Sequence, residues 1–276
     1  MRTFASAVFG LLAVLLTAAA FTGAWLNTNV ASEDGFAALG EPLAEDAQLQ
    51  QELAAAISAR AAESVDLPGP LAGMVEPLVT SAVEGVQALP EYPQAWNETL
   101  RRSHALTFAE DGGSAAAGTL TLDVAPLVSL VTGSVGGELN VDVPAPEQVP
   151  VEVSAAGRAQ LLANVQRAGE AWPVLALAAG VAGILALLIA RRRSTTFALI
   201  GLGVALAGAV LWLAAGMFPD RVAAQQFGSA VASSFAEAFA GQVTDSMRTW
   251  TIGLMLAGVA ALVVGLLARV VRGSRR

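Results

Sequence analysis

Four long apolar runs divide the chain, at residues 4–26, 172–190, 197–218 and 250–268, and none of them contains Asp, Glu, Lys, Arg or His. A helix needs about 20 mostly apolar residues to cross a bilayer. Each charge near the centre of such a span would cost roughly 2.5–3.5 kcal/mol. The pattern therefore predicts an α-helical membrane protein with four transmembrane helices.

The polar segment between the first two runs, residues 27–171, begins with a helical period. Apolar residues recur every four positions from Asp46, which predicts one helix there, and "DLPGP" ends it. A second helix is predicted over 71–88. The buried face of a third is marked by Trp96, Leu100 and Phe108.

The period changes to two in the second half of this segment. Three half-buried strands are predicted where apolar and polar residues alternate, in "TLTLDV" (119–124), "ELNVDV" (138–143) and "VPVEV" (149–153). A short helix is expected in "PLVSLVTG", and another over 155–170, capped by Ser154, leads into the second span. We therefore expect an extracytoplasmic α+β domain over 27–171, with helices on one face of a small sheet.

The loop over 219–248 carries its own apolar stripe, which repeats every four residues: Phe227, Val231, Phe235, Phe239, Val243 and Met247. Because a helix turns every 3.6 residues, this stripe advances by about 40° per step. A winding stripe predicts an amphipathic helix that packs obliquely on the domain or on the span ends. We also expect the helix to continue into the fourth span.

Small residues are spaced four apart within two of the spans. The third span has Gly201, Ala205 and Ala209, and the fourth has Gly253, Ala257, Ala261 and Gly265. Such spacing lets two helices approach closely. It predicts a packed bundle, and it offers a surface for homo-oligomer formation.

The arginines predict how the chain crosses the membrane. Cytoplasmic flanks carry the excess of basic residues, and short loops weigh most. The termini and the 191–196 turn carry Arg2, Arg191, Arg192, Arg193, Arg269, Arg272, Arg275 and Arg276. These parts are therefore expected in the cytoplasm, with 27–171 and 219–248 outside it.

The first run has two interpretations. Its length and the terminal Trp25 favour an uncleaved anchor over residues 1–26. The alternative is a cleavable signal peptide with Ala18 and Ala20 at the cleavage site. Either interpretation leaves the following domain outside.

Composition excludes several functional classes. The first outer segment holds 20 of the 23 acidic residues and five arginines, so it should repel nucleic acid. The chain has no cysteine, which excludes disulfides, thiolate nucleophiles and Cys-based metal sites. Spans without ionisable groups argue against an ion-coupled transporter. Arginine without lysine, beside many Ala and Gly, points to a GC-rich bacterium.

The candidate outer-domain site consists of His104, Trp96, Arg101 and Arg102. His104 is the only histidine and shares the apolar helix face with Trp96, so it is expected to be a core residue rather than an acid–base catalyst. The arginine pair could contact an anion, but internal ion pairs are expected. Acidic pairs that could bind Ca²⁺ lack the alternating ligand pattern: Glu33–Asp34, Glu45–Asp46 and Glu110–Asp111. We predict no catalytic, metal or cofactor site.

Several of these motifs occur together in one family. With "AWLNTNV" and "EPLAED" after the first span, Trp96 and His104 eight residues apart, "TLTLDVAPLV" and "IARRRS", the chain resembles uncharacterised integral membrane proteins of high-GC Gram-positive bacteria. The resemblance covers nearly the whole chain. It implies an anchor, an outer α+β domain, a basic cytoplasmic hairpin and further spans, and no activity.

We therefore expect a non-enzymatic membrane protein of the bacterial plasma membrane whose outer domain mediates binding or assembly. Its partners would be the lipid bilayer and a protein partner or second copy. A transmembrane signal relay is the alternative. Transport of an apolar or lipidic substrate, and an outer-face hydrolase built on His104, are less favoured because the required groups are missing.

Overall fold

The computed structural model describes residues 2–64, 85–108, 121–139, 147–152, 159–225 and 227–273. The chain divides into two compact units. The apolar unit comprises Met1–Ala31, Asn164–Pro219 and Val243–Arg276, and the acidic unit comprises Ser32–Ala163 and Asp220–Gln242. This division also separates the charges, because the acidic unit contains 21 of the 23 acidic residues and the apolar unit ten of the 15 arginines.

The described residues are mostly helical. In chain order the helices are α1 (Arg2–Leu26), α2 (Glu33–Gly40), α3 (Ala47–Ser64), α4 (Tyr92–Phe108), α5 (Ala125–Leu139), α6 (Ala159–Ile189), α7 (Arg193–Gly216), α8 (Phe218–Ala223) and α9 (Ala230–Gly273). A π-helical turn follows α1 at Asn27–Ala31, and 3₁₀ turns lie at Glu41–Glu45 and Val86–Ala88. Strands β1 (Thr121–Asp123) and β2 (Pro150–Glu152) pair antiparallel, with Leu122 opposite Val151.

Four helices of the described chain, α1, α6, α7 and α9, are long and apolar enough to cross a membrane. This finding confirms the four predicted spans and supports a multi-pass membrane protein. Large apolar side chains on these helices are exposed, with Leu177 at 71% and Phe4 at 75%. A lipid environment accounts for such exposure, whereas water would penalise it.

Close contact between α7 and α9 depends on glycines. A methyl group on Gly201 would come within 2.5 Å of the Leu262 amide nitrogen, and one on Gly258 would collide with the Ala205 amide nitrogen. Gly265 packs against Ala198 in the same way. The small-residue prediction is thus confirmed at Gly201, Ala205, Ala261 and Gly265.

The small-residue prediction is wrong about Gly253, which does not lie in the contact. A methyl group on Gly253 would meet open space, whereas Gly258, which the four-residue series skips, lies in the contact. A four-residue step drifts by about 40° around a helix. The contact instead follows steps of three and four, through Thr251, Met255, Gly258, Leu262 and Gly265.

Two helices of the acidic unit, α3 and α4, agree with their predictions. Helix α3 begins after Asp46, whose Oδ1 accepts the Leu49 amide hydrogen at 2.8 Å. Helix α4 matches the third predicted helix. Residues 71–84 and Ser154 lie outside the described residues, and 86–88 form only a 3₁₀ turn. Helix α6 runs from Ala159 through the second span without interruption.

The strand predictions need two corrections. Residues 138–139 complete α5 instead of starting a strand, and 140–143 lie outside the described residues. Strand β1 is buried on both faces, since Thr121 is 8% exposed and Asp123 2%. Helix α4 packs against β1, and the Asp123 amide donates to Ser103 Oγ at 2.9 Å.

The core of the acidic unit combines residues from α3, α4, β1, α5 and the start of α9. Its most deeply buried members include Leu49, Trp96, Leu100, Leu122 and Val131, with Val231 and Phe235 from α9. The part of the apolar stripe from Phe227 to Phe239 therefore packs in this core, as predicted. Its helix also continues into the fourth span, because α9 is uninterrupted over 44 residues.

Candidate functional site

The buried face of α4 carries Trp96, Leu100 and His104, which follow one another at intervals of four residues. Trp96 is only 1% exposed, and its Nε1 donates a hydrogen bond to the Gly40 carbonyl at 2.8 Å. His104 is 7% exposed. Its ring centroid lies 4.6 Å from that of Phe108 and 5.4 Å from that of Phe36. This aromatic packing gives a substrate little access to the imidazole.

Gly40 permits the Trp96 contact. A methyl group at this position would lie 2.7 Å from both Cδ atoms of Leu100, which is itself fully buried. The end of α2 can therefore approach α4 closely enough for the indole hydrogen bond only with glycine there. The Trp96 side chain is held as part of the core.

Arg101 is engaged by two carboxylates of the first turn of α2. Its Nη1 lies 2.7 Å from Glu33 Oε1 and its Nη2 lies 2.6 Å from Asp34 Oδ1. The hydrogen bonds to Glu33 and then Asp34 raise the pKa of the Arg101 guanidinium. Asn97 Oδ1 accepts from the Arg101 Nε at 2.9 Å. The Glu33–Asp34 pair thus serves as the partner of an arginine.

Arg102 has different partners from its neighbour. Its Nε pairs with Glu98 Oε1 at 2.8 Å, one helical turn earlier, and its Nη1 donates to the Glu147 carbonyl at 3.5 Å. The two arginines therefore do not converge on a common anion position. Both make the internal ion pairs expected from the sequence.

The two remaining acidic pairs are Glu45–Asp46 and Glu110–Asp111. Asp46 caps the start of α3, and Glu45 ends the 3₁₀ turn before it. Glu110 and Asp111 lie outside the described residues. Among the residues that the structure describes, no group of three His, Asp or Glu side chains could hold a metal ion.

Asp123 has a structural role, although the alternating pattern of its strand predicts a solvent-facing position for it. Its Oδ1 accepts the amide hydrogens of Val149 at 2.8 Å and Ala125 at 3.1 Å. One carboxylate therefore connects the strand pair to the start of α5. The available signal was "DVAP", an aspartate just before a helix with proline in its first turn.

The arginines used to predict topology lie at two helix ends of the apolar unit. Arg191 and Arg192 are exposed in the turn after α6, and Arg193 begins α7. Arg269 and Arg272 lie in the last turns of α9. Arg275 and Arg276 lie outside the described residues.

A cavity of about 490 Å³ lies beside the first of these arginine clusters. Helix α1 and helix α7 form its walls, and both run in the same direction along it, since Gly10 contacts Ile200 and Gly203 contacts Val14. Arg191, Arg192 and Thr195 line one end. Thr3, Ser6 and Thr196 also line it, and the other lining residues are apolar.

Comparison of this chain with protein-family models, curated proteins and solved structures finds no match.

Proposed function

We propose that this chain is a non-enzymatic multi-pass protein of the bacterial plasma membrane whose acidic unit binds a protein partner outside the cytoplasm. The observation that carries the proposal is the closure of the candidate site. Trp96 and His104 are 1% and 7% exposed and are packed within the core of the acidic unit. A surface closed over these residues favours interaction over catalysis.

The charges of the acidic unit favour a basic partner. It holds 21 acidic residues and five arginines, and two of those arginines, Arg101 and Arg102, are already engaged with Glu33, Asp34 and Glu98. Like-charge repulsion would oppose face-to-face association of two such units. A partner with a positively charged surface would be attracted, most strongly at low ionic strength.

The proposed orientation rests on the arginine flanks. Arg191–Arg193 and the basic end of α9 would remain in the cytoplasm, in keeping with the excess of basic residues in cytoplasmic loops. The acidic unit would then face outwards. Labelling of a cysteine introduced at Gln51 in intact cells would test this orientation, because the chain has no cysteine of its own. Protection of that cysteine from an impermeant reagent would contradict it.

Photo-cross-linking in native membranes tests partner binding. A photoreactive residue at the exposed position Gln51 of α3 should capture a discrete protein, and high salt should weaken the capture. The same residue at the lipid-facing position Leu177 is the matched control and should capture no such protein. Absence of any discrete product from Gln51, beside an intact fold, would reject the proposal.

A substitution at His104 separates binding from hydrolysis. His104→Phe retains an aromatic ring between Phe36 and Phe108 and removes the imidazole. Partner capture should be unchanged in this variant. Loss of capture in a variant that keeps its fold would assign His104 a direct role and would reopen the hydrolase hypothesis.

The continuity of α9 favours a signal relay as the second candidate function. Residues up to Gln242 belong to the acidic unit, and those from Val243 belong to the apolar unit, with no break in the helix. Four glycines inserted between these residues should preserve partner capture and abolish a cellular response. Seven alanines, about two helical turns, would preserve the helix and are the control. A response that survives the glycine insertion would eliminate the relay.

A further inference from the structure

The cavity between α1 and α7 has a polar, positively charged end and apolar walls. Arg191, Arg192 and Thr195 lie at the charged end, while Val14 and Ile200 belong to the apolar part. Its volume of about 490 Å³ falls within the range of small-molecule sites, roughly 300–1,000 Å³. An anion with an apolar tail would match both parts.

The start of α7 adds hydrogen-bond donors to the charged end. The first helical bond of α7 runs from the Thr196 amide to the Arg192 carbonyl, and no side chain caps this terminus. The amide hydrogens before Thr196 therefore have no acceptor within the helix. They point towards the turn, and the helix dipole favours negative charge there.

Thr195 supplies a second, independent sign of a ligand. Its side chain lines the cavity, and its Oγ1 is buried without a hydrogen-bond partner among the described residues. A threonine deeper in a helix can donate to the carbonyl four residues earlier, but the first turn has no such helical carbonyl. A buried hydroxyl without a partner is costly. Rotation about the Cα–Cβ bond of Thr195 would turn this hydroxyl from its inaccessible position towards the cavity, where an anionic oxygen would satisfy it.

We propose that this cavity binds one anionic phospholipid. The phosphate would lie between Arg191, Arg192 and the start of α7, and it would accept a hydrogen bond from the Thr195 hydroxyl. One acyl chain would follow the groove between α1 and α7. From Thr195 to Gly203 this groove extends over roughly 12 Å, at 1.5 Å of helix rise per residue. Basic pockets between membrane helices are suited to such headgroups.

The surroundings of the cavity select a lipid over other anions. Both walls are helices apolar enough to span a membrane, so within a bilayer the compounds that surround them would be phospholipids. The arginine turn contains no acidic residue that would repel a phosphate. This site does not involve the acidic unit, so it is independent of partner binding there.

Native mass spectrometry of the full chain in a mild detergent tests the proposal. The probes are phosphatidylglycerol, phosphatidylcholine with the same acyl chains, and soluble glycerol phosphate. We expect one phosphatidylglycerol to be retained in preference to phosphatidylcholine. Equal retention of the two lipids would overturn the anionic preference. Equal competition by glycerol phosphate would show a site for a free phosphate and would overturn the lipid assignment.

Substitutions locate the site. Arg191→Gln with Arg192→Gln should weaken phosphatidylglycerol binding about 25-fold, at roughly fivefold for each arginine. Arg269→Gln with Arg272→Gln removes the same charge at the end of α9 and is the matched control, which should bind normally. Equal losses in the two double variants would show non-specific attraction and would reject the site.

Thr195→Val is a second variant that should bind less lipid without disturbing the fold, because it keeps the side-chain shape and removes only the hydroxyl that has no partner. It should weaken phosphatidylglycerol binding about tenfold, since a hydrogen bond to a charged group contributes at this level. The unfolding midpoint of the lipid-free protein should not fall. Unchanged phosphatidylglycerol binding in this variant would remove Thr195 from the site and overturn the proposed geometry.

Discussion

The contact between α7 and α9 can be tested with a pair of identical substitutions in one span. Gly258 and Gly253 both lie in the apolar part of α9, and alanine adds the same methyl group at either position. A methyl group on Gly253 would meet open space. On Gly258 it would lie 2.7 Å from the Gly201 carbonyl oxygen and 2.9 Å from the Ala205 Cα.

The geometry sets the size of the expected difference. Carbon atoms in contact are separated by about 3.5–4.0 Å, so Gly258→Ala must move the two helices apart by roughly 0.6–1 Å. A gap of this size forfeits a quarter to a half of each dispersion contact along the interface. Overpacking of this kind typically costs about 1–3 kcal/mol. Gly253→Ala should instead gain up to about 1 kcal/mol from the helix propensity of alanine.

The two variants should therefore differ by about 1–4 kcal/mol in their free energy of unfolding, with Gly258→Ala the less stable. The assay is denaturation of the full chain by SDS in mixed micelles, with both variants measured under the same conditions. Equal midpoints, or a lower midpoint for Gly253→Ala, would show that Gly258 is not at the helix contact. Either result would refute the close α7–α9 packing.

Three further predictions concern the acidic unit. Asp123→Ala should destabilise the protein by about 2–5 kcal/mol, because the amides of Ala125 and Val149 lose their buried acceptor. Asp123→Asn keeps one oxygen and should destabilise it less. Amide hydrogen exchange at Ala125 and Val149 measures the effect of each variant. Burial raises the pKa of Tyr92, so stability should be complete below pH 10 and fall as the pH rises above it. Tyrosinate absorbance follows this titration without interference because Tyr92 is the only tyrosine, and Tyr92→Phe should abolish the pH dependence. Arg101→Gln should change the unfolding midpoint little, since solvent screens its exposed ion pairs. A large decrease in the midpoint would show that these ion pairs are not screened.

The sequence predicted elements well wherever one apolar period continued over several turns. Helices α3 and α4 and the helix in the 219–248 loop have such a period, and the four spans were predicted from the length of their uninterrupted apolar runs. The stretch over 27–45 was not assigned, because its elements are short and differ in type: a π-helical turn, α2 and a 3₁₀ turn. A single period cannot describe three geometries within 19 residues.

Predictions failed where a distant part of the chain determines the environment. Thr121 and Asp123 alternate with apolar residues, and this pattern indicates a solvent-facing side. That side is nevertheless buried, and Ser103 of α4 accepts the hydrogen bond that makes burial of the Asp123 backbone amide tolerable. The same limit applied to Gly253 and Gly258, because composition alone does not show which side of α9 meets α7.

The candidate site was predictable in part. The four-residue spacing placed His104 on the face of Trp96, and both are buried there. Their partners come from sequence positions far from α4, Phe36 for the imidazole and the Gly40 carbonyl for the indole. No local pattern identifies such contacts, since Gly40 and Phe36 lie in a helix too short to show a clear period.

The arginine turn shows why charge patterning by itself leaves a functional question open. Membrane insertion weights basic residues by the side of the bilayer on which they lie, so Arg191, Arg192, Arg193 and Arg269 should be interchangeable in that role. The structure makes them unequal, because Arg191 and Arg192 line the cavity whereas Arg193 and Arg269 are not among the residues that line it. An orientation role alone predicts that moving two arginines from the turn to the tail preserves both topology and lipid retention. A lipid site predicts that the topology survives and the retained phosphatidylglycerol is lost, and this difference separates the two roles in a single variant.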